Sequence, residues 1–364
     1  MRERPLSRRH LAHPLRPAFA ATVLAAALAA PPPLARAWDA EGHRIVTVLA
    51  LDALPSDMPA LFREARVREI VAFQSNEADR WRSTATPPIG HENKPDHYID
   101  LDLLPEYGLA PATVPPFRYD FVEAMAVAKH EHPERVSPYD PAKDRDKSLE
   151  WPGFLPHAIV EHYAKLEASL RTLRILEALG DEARPSEIET ARWNALVHMG
   201  HLSHFVGDAA QPLHTTKHFN GWTGENPNGY TTDRQFHSLI DGGVIERHGI
   251  TADFVRARVK TDRAIDPGAP FPAVMEHIGR GFAEVEPLYR LEKSGDLFKA
   301  AGAELIANRL ADAAGFLSAL YRAAWAASAP TEKQIRDFLR YDGRDASKAP
   351  PSKPVPGPDG GKPE

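Results

Sequence analysis

Ile188, Ala191, Ala195, Met199, Leu202 and Val206 follow one another at steps of three and four, the spacing that lines apolar residues along one face of a helix. Ser186-Glu187-Ile188-Glu189 just ahead of them reads as a capping box. The same periodicity predicts helices over Pro156–Leu179, stopped by Gly180, and over Leu297–Ala327, with Pro330 beyond its end. Strand-like alternation is scarce and no fixed-period repeat stands out. A chain patterned this way buries its apolar residues between helices, so an all-α fold with one multi-helix domain is expected.

The two ends do not share this pattern. Residues 1–37 combine an arginine-rich start, an apolar run from Ala18 to Ala30 and the small-residue stretch Ala35-Arg36-Ala37, which together read as a signal peptide with its cleavage site. Ser7-Arg8-Arg9-His10-Leu11 also resembles a twin-arginine signal, although arginine pairs occur in ordinary export signals too. The expected product is exported, periplasmic or secreted, with no transmembrane segment, because no later stretch approaches the roughly 20 apolar residues of a span. Residues 342–364 turn to Pro, Gly, Lys and Ser and offer little to bury, so they are expected to be disordered. The helical domain is thus expected over residues 38–341.

Cysteine is absent, so any bound metal must be held by nitrogen and oxygen. The formal charge is −6, and removal of six Arg and one Glu with residues 1–37 leaves the remainder near −11. Such a chain has no basic footprint for gripping polyanions by bulk electrostatics. Between Leu104 and Pro152, clustered prolines and the charged run Asp140–Lys147 suggest a long, solvated connection with one helix inside it.

His204 and Asp208 stand four residues apart, and His214 follows beyond Pro212. Positions i and i+4 of a helix face the same way, so both side chains can reach one ion. Both also lie more than a quarter turn off the apolar stripe, so burial of that stripe does not account for them. His237 and Asp241 repeat the spacing in a segment, residues 233–247, that reads as another helix. Either pair alone is equally the signature of an exposed ion pair worth a few tenths of a kcal/mol. His198 and His201 lie on the same predicted helix and are read as packed residues or as supports of the ligands, not as ligands themselves.

Trp38-Asp39-Ala40-Glu41-Gly42-His43, Ala78-Asp79-Arg80-Trp81-Arg82, His97-Tyr98-Ile99-Asp100, the His204–His214 segment and His237-Ser238-Leu239-Ile240-Asp241 occur in this order. Together they resemble the zinc-dependent phospholipase C and single-strand-specific, mung-bean-type nuclease superfamily, over about two-thirds of the chain beyond residue 37. The resemblance implies a helical domain of the phospholipase C/nuclease type with a trinuclear metal cleft. It implies one zinc on Asp79, His97, His204 and Asp208, a second on Trp38, His43 and Asp208, and a third on His214, His237 and Asp241. Asp208 is then the bridging carboxylate, and Trp38, directly after Ala35-Arg36-Ala37, contributes its free amine and carbonyl oxygen.

By the same resemblance Asp79 and Arg82 are catalytic, Asp79 orienting the attacking water and Arg82 steadying charge on phosphorus. Tyr98 falls where the nucleases have an aromatic that stacks on a base. Asp rather than Glu at position 241 favours the nuclease branch. The implied activity is hydrolysis of single-stranded DNA or RNA, with 3′-nucleotidase character. The long interval from His97 to His204 and the aromatic-rich stretch from His214 to Tyr230 depart from that branch and weaken the substrate assignment. The alternatives are a phospholipase C acting on phospholipid headgroups and a secreted zinc-binding protein without catalysis. No protein partner is implied.

Overall fold

The computed structural model describes residues 38–350 apart from 57, 85 and 181–184. The expected signal peptide, residues 1–37, and residues 351–364 of the expected disordered tail lie outside the described residues. The elements are α1 (Ala40–Asp52), α2 (Ala65–Gln74), α3 (Glu77–Arg82), α4 (Pro87–Asn93), α5 (Arg118–Glu131), α6 (Leu155–Leu179) and α7 (Pro185–Ala210). They continue with α8 (Phe236–Ser238), α9 (Val244–His248), α10 (Ala252–Arg256), α11 (Phe271–Phe282), α12 (Val285–Ser294), α13 (Ala300–Ala327) and α14 (Glu332–Tyr341), with 3-10 turns between. Among the described residues there is no strand, and the fold is all-α. No described helix is long and apolar enough to cross a membrane.

The long helices fall where the periodicity places them. α6 opens with Pro156 in its first turn, where the missing N–H costs nothing, and Gly180 follows its last residue. α7 begins two residues earlier than the capping-box reading: Pro185 is already helical, so Ser186 lies inside the helix and its carbonyl accepts from Thr190 Oγ1. α14 has the true capping box, with Thr331 and Gln334 bonded reciprocally.

α7 is the axis of the molecule, packed on α6 along its length and also on α1, α2, α11 and α13. Every residue from Met199 to Ala210 is buried. That correction matters for His204 and Asp208: they lie off the apolar stripe, yet neighbours on all sides bury them as deeply as the stripe itself. Where α6, α7 and α14 meet, Leu173, Leu176, Leu179, Ala191, Ile335 and Leu339 form a smaller apolar cluster. The chain runs on past residue 341 with Arg344 bonded to Glu187 and a 3-10 turn, Ala346–Lys348.

Two expectations change in detail. The helix expected over residues 233–247 is divided, with a π-helical turn, Leu239–Gly243, between α8 and α9. Gly242 and Gly243 follow Asp241 there, weakening regular helix, and the Asp241 carbonyl accepts from Asp39 N at 3.2 Å, across from another element. The connection between Leu104 and Pro152 does contain a helix, α5, and most of the charged run at residues 140–147 is exposed as expected, but Asp144 turns inward. Asp144 is buried and accepts from Tyr139 Oη (2.9 Å), Ser148 N (3.1 Å) and Leu149 N (2.9 Å), which pins this stretch as one wall of a cleft.

Asp312 on α13 ties down α11 and the segment before it. Its carboxylate accepts from Arg263 Nη2 and from Arg280 Nε (3.2 Å), with His277 Nδ1 at 3.2 Å and Arg309 Nη1 at 3.5 Å. Burial alone would raise its pKa, but the bond from His277 and the charges around it hold it below the ordinary 3.8. Asp312→Asn is therefore expected to destabilise the fold by about 3–5 kcal/mol at neutral pH, since it strands buried cations. The folded pKa lies below the unfolded one, so this contribution is complete above the ordinary value and is lost as pH falls through the folded pKa. Urea melts of both proteins should show a gap that narrows as the pH falls below about 4; a gap constant with pH would exclude the carboxylate charge as its cause.

Candidate metal centre

Seven elements deliver the sequence-predicted side-chain ligands to one region. His43 comes from α1, Asp79 from α3, and His204 and Asp208 from α7. His97 ends the 3-10 turn Lys94–His97, His214 ends the turn Pro212–His214, His237 lies on α8 and Asp241 on the π turn. They form three groups able to hold a metal ion: His43, His204 and Asp208; Asp79, His97 and His204; and His214, His237 and Asp241, with ligand atoms within 4.8 Å of one another in each group.

Asp208 stands at the junction. Its Oδ1 faces His43 Nε2 at 3.5 Å, while its Oδ2 faces His97 Nδ1 at 3.0 Å and His204 Nε2 at 3.4 Å. His214 Nδ1 is 4.0 Å from the same Oδ2. The two oxygens thus look toward different histidines, the disposition a bridging carboxylate needs. His204 stacks on His43, with ring centroids 4.1 Å apart, and its Nε2 is 3.0 Å from His97 Nδ1. In the third group His237 Nε2 lies 3.0 Å from His214 Nε2 and 3.3 Å from Asp241 Oδ2.

Backbone carbonyls select the tautomers. His204 Nδ1 donates to Ser75 O (2.7 Å) and His214 Nδ1 donates to His97 O (2.5 Å), so each neutral ring turns an Nε2 lone pair toward the cluster. Burial lowers the pKa of both to about 3 and lowers those of His97 and His237 as well, which keeps the rings in the ligating form. Burial raises the pKa of Asp208 and Asp241, reinforced at Asp208 by the charge of Asp79. Asp208 Oδ1 and Asp241 Oδ2 are buried and no hydrogen bond reaches either. A buried carboxylate left so costs several kcal/mol until a proton or cation neutralises it. Lone pairs and unbonded carboxylate oxygens converging in this way fit divalent metal ions, and a donor set of imidazole and carboxylate suits zinc and its borderline neighbours.

Trp38 is fully buried, its indole Nε1 donating to Gly207 O at 2.9 Å. The bond anchors the start of the described chain to α7 beside the cluster. Gly207 matters for a second reason: a Cβ there would lie 2.8 Å from His43 Nδ1, so only glycine lets that ring reach Asp208.

Arg82 Nη1 lies 3.3 Å from Asp79 Oδ1, at the edge of the cluster. Tyr98 Oη donates to Ser148 O at 3.1 Å, which fixes the ring against the pinned segment. Both line a cleft of about 600 Å³ that reaches His97, His214 and His237, with Tyr139, Trp151 and Phe219 among its walls. All the predicted site residues therefore gather around one cleft and its floor. Three that support them were not predicted. Gln211, fully buried, donates from Nε2 to Asp241 Oδ1 at 2.6 Å; Asn93 Nδ2 contacts Ala78 O and His97 Nε2; Ser75 acts through its carbonyl. Of these only Gln211, inside the His204–His214 segment, had a position in the sequence that could have drawn notice.

No family model, curated protein or solved structure matches the chain. Gly207→Ala is expected to weaken divalent metal binding by about 10–100-fold while the helical circular dichroism is kept, because it displaces a ligand ring rather than a helix. Zinc titration of both proteins measures this, and equal affinities would remove His43 from the centre.

Proposed function

We propose that this chain is an exported zinc-dependent phosphodiesterase of the phospholipase C and mung-bean-type nuclease class, with single-stranded nucleic acid as its substrate. The observation that carries the reading is the position of Asp208, whose two oxygens face histidines of different groups at the floor of an aromatic cleft. One ion would be held by Asp79, His97, His204 and Asp208, a second by Trp38, His43 and Asp208, and a third by His214, His237 and Asp241. Trp38 offers a free amine only once residues 1–37 are removed, which links export to assembly of the centre. When bound, the ions supply a water of lowered pKa and neutralise charge on the phosphoryl oxygens.

The protein's own residues do the rest. Asp79, in contact with Arg82, would orient the attacking water, and the Arg82 guanidinium would steady the phosphoryl charge. Tyr98, held by Ser148, and Phe219 offer flat faces on which any base can stack. The cleft suits one or two nucleotides and not a duplex, in keeping with the acidic chain. A phospholipid headgroup is the second reading, favoured by Leu149 and Phe219, which line the cleft yet are 64% and 40% exposed.

Protein beginning at Trp38 and loaded with zinc is expected to hydrolyse single-stranded DNA and RNA faster than phosphatidylcholine micelles, and to stop when chelated. The opposite preference selects the phospholipase; full zinc loading without hydrolysis of either selects a non-catalytic zinc-binding protein. Tyr98→Ala is expected to raise KM for oligonucleotides by about 5–100-fold, the loss of one stacked base, with little change in kcat. An unchanged KM would show that no base rests on Tyr98.

A further inference from the structure

A second set of histidines lies outside the three groups. His162 on α6 and His198 and His201 on α7 bring one ring nitrogen each to within 4.8 Å of one another. His198 and His201 are three residues apart and so share a helix face, and close packing of α6 on α7 sets His162 opposite them. The His162 and His201 centroids are 5.3 Å apart, and each lies 6.3 Å from that of His198. Phe205 separates this set from the other, with its ring against His162 on one side and against His97 and His204 on the other.

Packing alone leaves these rings unexplained. His162 Nδ1, His198 Nδ1 and His201 Nε2 are buried and make no hydrogen bond, whereas buried imidazole nitrogens ordinarily find a partner. Elsewhere in the molecule the rings of His157, His204 and His214 are each settled on a carbonyl. The charged groups acting on this set are Lys165, which is exposed, and Glu77, which is paired with Arg80. Trp81 closes one side, edge-on to His201 at 4.9 Å, while His162 and His198 are only partly buried and leave the other side reachable.

We infer that His162, His198 and His201 form a separate binding site for one borderline divalent transition-metal ion, bridging α6 and α7. Three neutral imidazoles without a carboxylate favour zinc, nickel or copper over magnesium or calcium. With three protein nitrogens, a position stays open for water or a further ligand. Binding joins α6 to α7, the helix that carries His204 and Asp208, so the ion stabilises the fold without touching the cleft.

The test uses the chain from Trp38 with the cluster loaded with zinc, titrated with Cu²⁺, the divalent ion that imidazole sites bind most strongly. Wild type and a His130→Gln control, altered at an exposed histidine on α5, are expected to take up one further copper with nitrogen hyperfine structure in its electron paramagnetic resonance. The His162→Gln/His198→Gln double variant is expected to lose it. Zinc content measured on the same samples shows whether copper has entered the cluster instead. Melting curves of the metal-free proteins check that the variant folds; if it does not, His198→Gln alone replaces it. Copper should raise Tm in wild type and not in the variant. Equal copper uptake by wild type and variant, or uptake only by displacement of zinc, overturns the inference. The readout is metal content, so a failure of the phosphodiesterase reading leaves it standing.

Discussion

Asp208 is a carboxylate with no exposure, in the stretch of α7 from Met199 to Ala210 where every residue is buried, facing His43, His97 and His204. A charge in that position is affordable only if cations or protons share it. Much of the surrounding structure follows from this demand. Gly207 clears space for His43, Ser75 and His97 hold neighbouring rings through their carbonyls, and Gln211 orients the other buried carboxylate, Asp241. These supports come from distant parts of the chain, so the centre is assembled only when α1, α3, α7 and the π turn are docked together.

The cleft above this floor depends on a different kind of order. Its wall from residue 137 to 152 contains no regular helix, and a buried carboxylate, that of Asp144, organises it by accepting from one side chain and two backbone amides. Tyr98 is oriented by the same wall through Ser148. The lining of the cleft and the His/Asp cluster beneath it therefore rest on separate scaffolds. The lining combines aromatic faces with five acidic and three basic side chains, the acidic ones being Asp100, Glu106, Asp140, Asp144 and Glu150 and the basic ones Arg82, Lys94 and Lys143.

Much of the fold was legible because apolar spacing in α6, α7 and α13 is a local property that helix geometry reads directly. The His204/Asp208 and His237/Asp241 pairs were legible for the same reason. The divided helix around Asp241 was not, because its π turn answers to a bond from Asp39, in a part of the chain no local pattern can see. The charged run in the wall of the cleft is mostly exposed, as its composition suggests, but the inward turn of Asp144 was not legible, because its partners are fixed by the folded path of the segment. His198 and His201 read as packed residues because their companion, His162, lies on another helix.

What the sequence determined by itself is the long helices α6, α7 and α13, the absence of thiolate ligands and the residue types able to hold a metal. Periodicity and composition act over a few residues, and they survive in a linear reading. Tertiary structure decided which of those residues are buried, which share an oxygen of Asp208, and that a second trio of histidines meets across α6 and α7. Each of these depends on distances between segments far apart in the chain, and only the packing of whole helices sets them.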